Sequence, residues 1–313
     1  MERIEFGAGL VGNLHVPDVA DDSSLPAVVL TGTVTAVKEQ SGDYARALAD
    51  RGIVALAFDH YGWGESEGLD RQHEDPGRKV DDLHDAVTFL RQLDLVDPAR
   101  VHLAGACLGA AYAIAAAASD PRVAGVVAIA GCFSSPALMR RTLGEDAYRK
   151  SLQRLVETVA ATSGKARMTA FSMSEEAFMP FPAMCGYFAT ARSRTVNWVN
   201  EITVRSAWNL MTHDFVAPAA HLGSTPLLIV HGLDDELCVP AAARQAYALA
   251  TGPRDVVWLK ARHADFLAAG PTLDAAVACV VQFGGADLVP LTSQGGEPPI
   301  PGASEPSGLR SVG

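Results

Sequence analysis

The sequence is poor in cysteine, and what it has does not pair by spacing. Five cysteines in 313 residues, with no CxxC, form neither a disulfide framework nor a paired thiolate metal site. Positive charge is also short: 25 Lys and Arg against 36 Asp and Glu leave a formal net charge of -11. Phosphate binding needs a basic footprint, so this balance argues against nucleic acid as a partner. No apolar run reaches the ~20 residues of a membrane helix, so no membrane span is expected. The N-terminus, MERIEFGAGLVGNLHVP, lacks the basic head, apolar stretch and small-residue cleavage site of a signal peptide, and a cytoplasmic location is expected. Neither HxxxH nor HxH occurs, so no metal and no cofactor is expected.

What is present is apolar and periodic. Hydrophobic residues make up 49% of the chain, enough for one large core. Short apolar runs at 27–31, 53–59, 101–106, 123–130, 226–232 and 255–260 alternate with helical patterns. That alternation predicts an α/β fold, a mostly parallel sheet covered on both faces. In RKVDDLHDAVTFLRQL, Val80, Leu83, Val87 and Leu90 recur at helical spacing and give one apolar stripe. The opening segments RIEFGAG and LVGNLHV read as an antiparallel pair at the sheet edge. Residues 135–222 carry no clear strand and read as a helical cap inserted in a core of 1–134 and 223–286. From 287 to 313, Pro, Gly and Ser dominate, the composition of a flexible tail.

The chemistry centres on GACLGA, where Cys107 lies between Gly105 and Gly109 as a strand gives way to a helix. A sharp strand-to-helix turn pushes a nucleophile clear of the sheet. The helix N-terminus stabilises the thiolate, and the next backbone N–H faces a developing oxyanion. A buried small residue in a glycine-rich turn is the competing reading. Later segments weigh against it. HGLDDELCVP puts acids after one strand, and RHADF puts His263 after the last. Nucleophile, acid and histidine in that order, all at the C-terminal edge of a parallel sheet, suit acyl transfer through a covalent intermediate.

With VVLTGTVTAVKEQ and ALAFDHYGWGESEG, these stretches resemble the α/β-hydrolase superfamily over about residues 5–285. Within it the chain looks most like dienelactone-hydrolase-type enzymes and their polyketide-transferase relatives. The resemblance implies an α/β-hydrolase fold and a Cys107–Asp235–His263 triad, with Asp234 as the rival acid. It also implies an oxyanion hole from the N–H groups of Leu108 and Thr33, and a structural role for Asp59. The long cap and the lack of an acid directly after the 27–31 strand depart from dienelactone hydrolases, so dienelactone itself is not the expected substrate.

His60 and His231 read as satisfied structural histidines, and His84 as a solvated one. Cys132, Cys185, Cys238 and Cys279 read as small apolar fillers. Every methionine except Met1 lies in the cap, alongside Phe171, Phe178, Phe181, Met179 and Tyr187, which are expected to bind substrate. The implied partner is a small-molecule acyl substrate, free or carrier-bound, and a homodimer stays open. The leading expectation is a hydrolase of an ester, thioester or lactone through a Cys107 acyl-enzyme. The alternatives are an acyltransferase or cyclase passing the acyl group to a hydroxyl or amine, and a non-catalytic binding protein on the same fold.

Overall fold

Each apolar run forms a strand, and the chain between runs mostly coils into helices. The computed structural model describes residues 1–18, 24–174, 176–190 and 195–285; the expected tail from 287 lies outside them. In chain order, the first half carries β1 (Glu2–Phe6), β2 (Leu10–His15), β3 (Leu25–Thr31), α1 (Gly42–Ala49) and β4 (Val54–Asp59). Next come α2 (Pro76–Arg91), β5 (Val96–Ala106), α3 (Leu108–Ser119) and β6 (Gly125–Ile129). The chain then leaves the sheet for α4 (Pro136–Leu143), α5 (Glu145–Ala161), β7 (Arg167–Thr169), α6 (Pro182–Phe188), β8 (Glu201–Thr203) and α7 (Val204–Thr212). It returns through β9 (Leu227–Gly232), α8 (Pro240–Leu249), β10 (Arg254–Leu259) and α9 (Pro271–Gly285).

The main sheet runs β1-β2-β4-β3-β5-β6-β9-β10. β1 and β2 pair antiparallel at the edge and β2 is antiparallel to β4, whereas every pair from β4 to β10 is parallel. Successive strand residues face opposite layers. In β3, Val28 and Leu30 pack with Leu48 of α1 and Val277 and Val280 of α9, while Val29 packs with Leu83 and Val87 of α2 and Ile114 of α3. Fully burying one such aliphatic side chain is worth about 1.5–3 kcal/mol, so this two-sided core holds the sheet. Asp75 starts α2 by accepting from the N–H groups of Gly77 and Arg78, with Pro76 at the first helical position. α3 is alanine-rich and buried nearly all round, and its small side chains let it lie close over β5 and β6.

Two expectations change. The inserted segment is not purely helical, because β7 and β8 pair antiparallel with Met168 opposite Ile202. At three residues each, these strands are too short for alternation to show in the sequence. His84 is not simply solvated: it is half-buried, and its Nε2 donates to Ala116 O at 3.2 Å, tying α2 to α3. The insertion is also fastened to the sheet's loops. Trp198 Nε1 donates to Thr35 Oγ1 at 3.1 Å, and Glu74 N donates to Ser206 Oγ at 2.7 Å.

Candidate active site

β5 ends and α3 begins with Cys107 between them. Its backbone sits at φ 55° and ψ -120°, a strained conformation for a residue with a side chain. Packing holds it there. A Cβ on Gly105 would stand 2.2 Å from Gly109 O, and one on Gly109 would stand 2.4 Å from Gly32 O. Both contacts are with backbone, so neither can yield, and glycine is required on each side of the turn. Cys107 N donates to Ile129 O at 3.0 Å and Cys132 N donates to Cys107 O at 2.8 Å, which stitches the turn to the end of β6. Leu108 N–H opens α3 and has no acceptor within the helix.

The loops after β9 and β10 bring the acid and the histidine to the same edge. His263 is fully buried, and its Nδ1 donates to Asp235 Oδ2 at 2.8 Å. Asp235 Oδ1 accepts the N–H groups of Leu237 at 3.0 Å and Cys238 at 2.7 Å, so the carboxylate is held at both ends. Asp234 is exposed, its backbone paired to Ala261 O. The structure therefore brings Asp235 to His263, and not its neighbour. His231 is structural as expected: its Nε2 donates to Cys238 O at 2.6 Å, and burial lowers its pKa, keeping it neutral. Asp59 is buried and accepts the N–H groups of Lys38 and Glu65 as well as Lys38 Nζ, which orders two loops. His60 is buried between Thr31 and Asp82, with Nε2 3.0 Å from Thr31 Oγ1 and Nδ1 3.1 Å from Asp82 Oδ2.

Cys238 is buried in the core, as a small apolar filler would be, and it also stands beside the elbow. Cys107 Sγ, Cys238 Sγ and His263 Nε2 all lie within 4.8 Å of one another. The Cys107 thiol is held well below the usual range. The Cys238 thiol donates to it, the positive charge of His263 faces it, and the Thr33 hydroxyl also donates; together these outweigh burial. Burial pushes Cys238 up, and the charge on Cys107 pushes it further. Burial alone would lower His263, but the Cys107 thiolate and the Asp235 carboxylate reverse this and push it up to about 10. Both shifts run in the direction that favours a thiolate beside an imidazolium. Thr33, expected to offer a backbone N–H, also presents a buried hydroxyl with no other partner.

Cys107 opens onto a cavity of about 770 Å³ whose walls are mainly apolar. Phe178, Met179 and Phe181 line it, with Leu210 of α7 and Phe215. Phe171 and Tyr187, also expected to touch substrate, do not line it. Phe171 stacks on Phe188 at 4.1 Å, Phe188 stacks on Trp198 at 4.7 Å, and Tyr187 meets Phe188 edge-on at 5.0 Å. These rings are the insertion's own core. Composition could not separate the two sets, since both lie in one aromatic stretch.

A mostly parallel sheet with a strand–turn–helix elbow, and with an acid and a histidine after later strands, defines an α/β-hydrolase fold. Residues 27–259 match the family model described as serine aminopeptidase, S33, and the chain belongs to that family. An acyltransferase, drtE, from Aspergillus calidoustus is 28% identical over 254 residues, covering 78% of this chain and 81% of that protein. A thiohydrolase, aneE, from Aspergillus aculeatus is 34% identical over 169 residues, 52% of this chain and 51% of that one. The crystal structure of hypothetical protein PA2218 from Pseudomonas aeruginosa superposes with a TM-score of 0.79 at 25% identity, covering 90% of this chain and 92% of that chain. A hydrolase family with hydrolase- and transferase-named relatives supports an enzyme. No helix among the described residues is long and apolar enough to cross a membrane.

Proposed function

We propose that the protein cleaves a thioester, ester or lactone of a sizeable apolar acyl group through an acyl-enzyme on Cys107. The observation that carries this is the buried Cys107–His263–Asp235 chain, whose cysteine lines a mainly apolar cavity of about 770 Å³. Cys107 Sγ, as the thiolate that its lowered pKa favours, adds to the acyl carbonyl. The carbonyl oxygen takes up the charge and accepts from the N–H groups of Leu108 and Thr33. As the intermediate collapses, the leaving sulfur or oxygen takes the proton from His263 Nε2. Asp235 keeps the imidazole oriented and balances its charge throughout.

In the second half, His263 is neutral and removes a proton from the incoming nucleophile. That nucleophile adds to the thioester carbon, and collapse returns Cys107 as thiolate beside imidazolium. Water as the nucleophile gives hydrolysis, the leading reading, supported by the hydrolase family and by the relative named a thiohydrolase. A hydroxyl or amine gives transfer or cyclisation. Two observations favour that second reading: the cavity walls are mainly apolar, and another relative is named an acyltransferase. The aromatic residues of the insertion that face the cavity would hold the chain, and a carrier-bound thioester is the natural donor.

The test is turnover of acyl thioesters of increasing chain length by the native protein and by Cys107→Ala. The native rate should rise with chain length. The variant should lose several orders of magnitude, as when the nucleophile of a coupled triad is removed, which cost about 10⁶-fold in a well-studied hydrolase. Near-native turnover by Cys107→Ala would remove Cys107 from the reaction.

A further inference from the structure

Cysteine at the elbow does more than replace serine. The loop that supplies Asp235 also supplies Cys238, and its sulfur meets Cys107 Sγ and His263 Nε2 in one buried cluster. His263 Nε2 is fully buried and has no ordinary hydrogen-bond partner. All three atoms are soft or borderline donors, and they converge from turns after β5, β9 and β10.

We propose that Cys107, Cys238 and His263 form a three-ligand site for Zn²⁺, and that metal bound there caps the nucleophile and holds the enzyme inactive. Two thiolates and one neutral imidazole, with a fourth position left to water, is a recognised zinc donor set, and binding releases the protons of Cys238 Sγ and His263 Nε2 to the buffer. Zn–S near ~2.3 Å and Zn–N near ~2.0–2.1 Å put tetrahedral ligand atoms about 3.5–3.8 Å apart. The observed limit of 4.8 Å is within about 1 Å of that, which side-chain rotation can close.

The outer shell is already in place. His263 Nδ1 donates to Asp235 Oδ2 at 2.8 Å, the carboxylate–histidine arrangement that orients a metal-bound imidazole and leaves Nε2 as the ligand. Access exists as well, because Cys107 and Cys238 both open onto the cavity, which supplies the fourth position. Metal on Cys107 Sγ occupies the lone pair that attacks the acyl carbon. The ligands are separated by 131 and 25 residues, so no local spacing could have announced the site.

The experiment titrates the full reduced chain with Co²⁺ and then Zn²⁺. One equivalent of Co²⁺ should give tetrahedral d–d bands and a thiolate charge-transfer band, both abolished by Zn²⁺. Zinc should also slow alkylation of Cys107, with EDTA restoring it. Cys238→Ala and Cys238→Ser, each checked by thermal melting, should lose charge-transfer intensity. They should weaken Zn²⁺ binding by more than the ~10–100-fold that loss of an outer-shell partner costs. Cys279→Ala, whose sulfur lies in α9 on the other side of the sheet, should bind as the native chain does. Native affinity in both folded Cys238 variants, Co²⁺ binding without a thiolate band, or undiminished alkylation of zinc-loaded Cys107 would each overturn the proposal. None of these readouts needs acyl turnover, so the metal site stands or falls apart from the proposed reaction.

Discussion

Asp235 Oδ2 accepts a hydrogen bond from His263 Nδ1 at 2.8 Å, while its Oδ1 is tied to the backbone of Leu237 and Cys238. Asp234, one residue earlier, faces solvent. Asp235→Asn should therefore lower kcat by about 10³–10⁴-fold, the scale seen when a triad acid becomes an amide. Asp234→Asn should leave kcat near native and change stability by no more than about 0.5 kcal/mol. Steady-state kinetics on the two variants checks the contrast, and the reverse ranking would move the acid to Asp234.

The lowered Cys107 and the raised His263 set the sign of the pH dependence. At low pH the thiolate takes a proton and attack stops; because Cys107 is held down, that limb should lie well below the ordinary thiol range. At high pH His263 loses the proton that the leaving group needs, so kcat/KM should fall as pH passes about 10. Cys238→Ala removes the thiol that donates to the thiolate, and its acid limb should shift upward. Iodoacetamide alkylation against pH reads the Cys107 limb directly, and an unchanged midpoint in Cys238→Ala would contradict this origin of the shift.

Within the insertion, Phe178 and Phe171 should behave differently. Phe178→Ala enlarges the cavity and should raise KM for long acyl chains more than for acetyl, because the chain's binding energy is collected there. Phe171→Ala removes a buried ring from the stack on Phe188 and Trp198, and should cost about 3 kcal/mol of stability. Chain-length kinetics and denaturant titration of both variants separate the roles. Equal chain-length effects would mean the acyl group lies elsewhere.

Lys38 is almost wholly buried against Asp59, with Nζ 2.8 Å from Oδ2. Lys38→Met strands a buried carboxylate and should destabilise the protein by about 3–5 kcal/mol. Chemical denaturation should show this as a lower midpoint at unchanged slope. A loss under about 1 kcal/mol would show that Asp59 does not depend on its partner.

The sheet was readable because the inner parallel strands β3, β4, β6 and β9 are buried on both faces and show as near-continuous apolar runs, Val28 to Leu30 being typical. The elbow was readable because steric contact with backbone leaves only glycine at 105 and 109, and that pattern survives in a single sequence. What escaped the sequence depends on distance or size. Cys238 meets Cys107 only through the folded loop after β9. β7 and β8 are too short to carry a period. Phe171 and Phe178 are chemically alike, and only the packing of the insertion sends one into its core and the other to the cavity wall.

The acyl-enzyme itself gives the most direct measurement. Water attacks a thioester slowly, so the acyl group should stay on Cys107 long enough to be trapped. Native protein mixed with a long-chain acyl thioester, quenched rapidly, digested and analysed by mass spectrometry should carry the acyl mass on the Cys107 peptide. The adduct should clear in buffer if the enzyme is a hydrolase, and faster when a true hydroxyl or amine acceptor is added if it is a transferase. Turnover with no adduct at Cys107 at any quench time, or an adduct on another residue, would contradict covalent catalysis at the elbow.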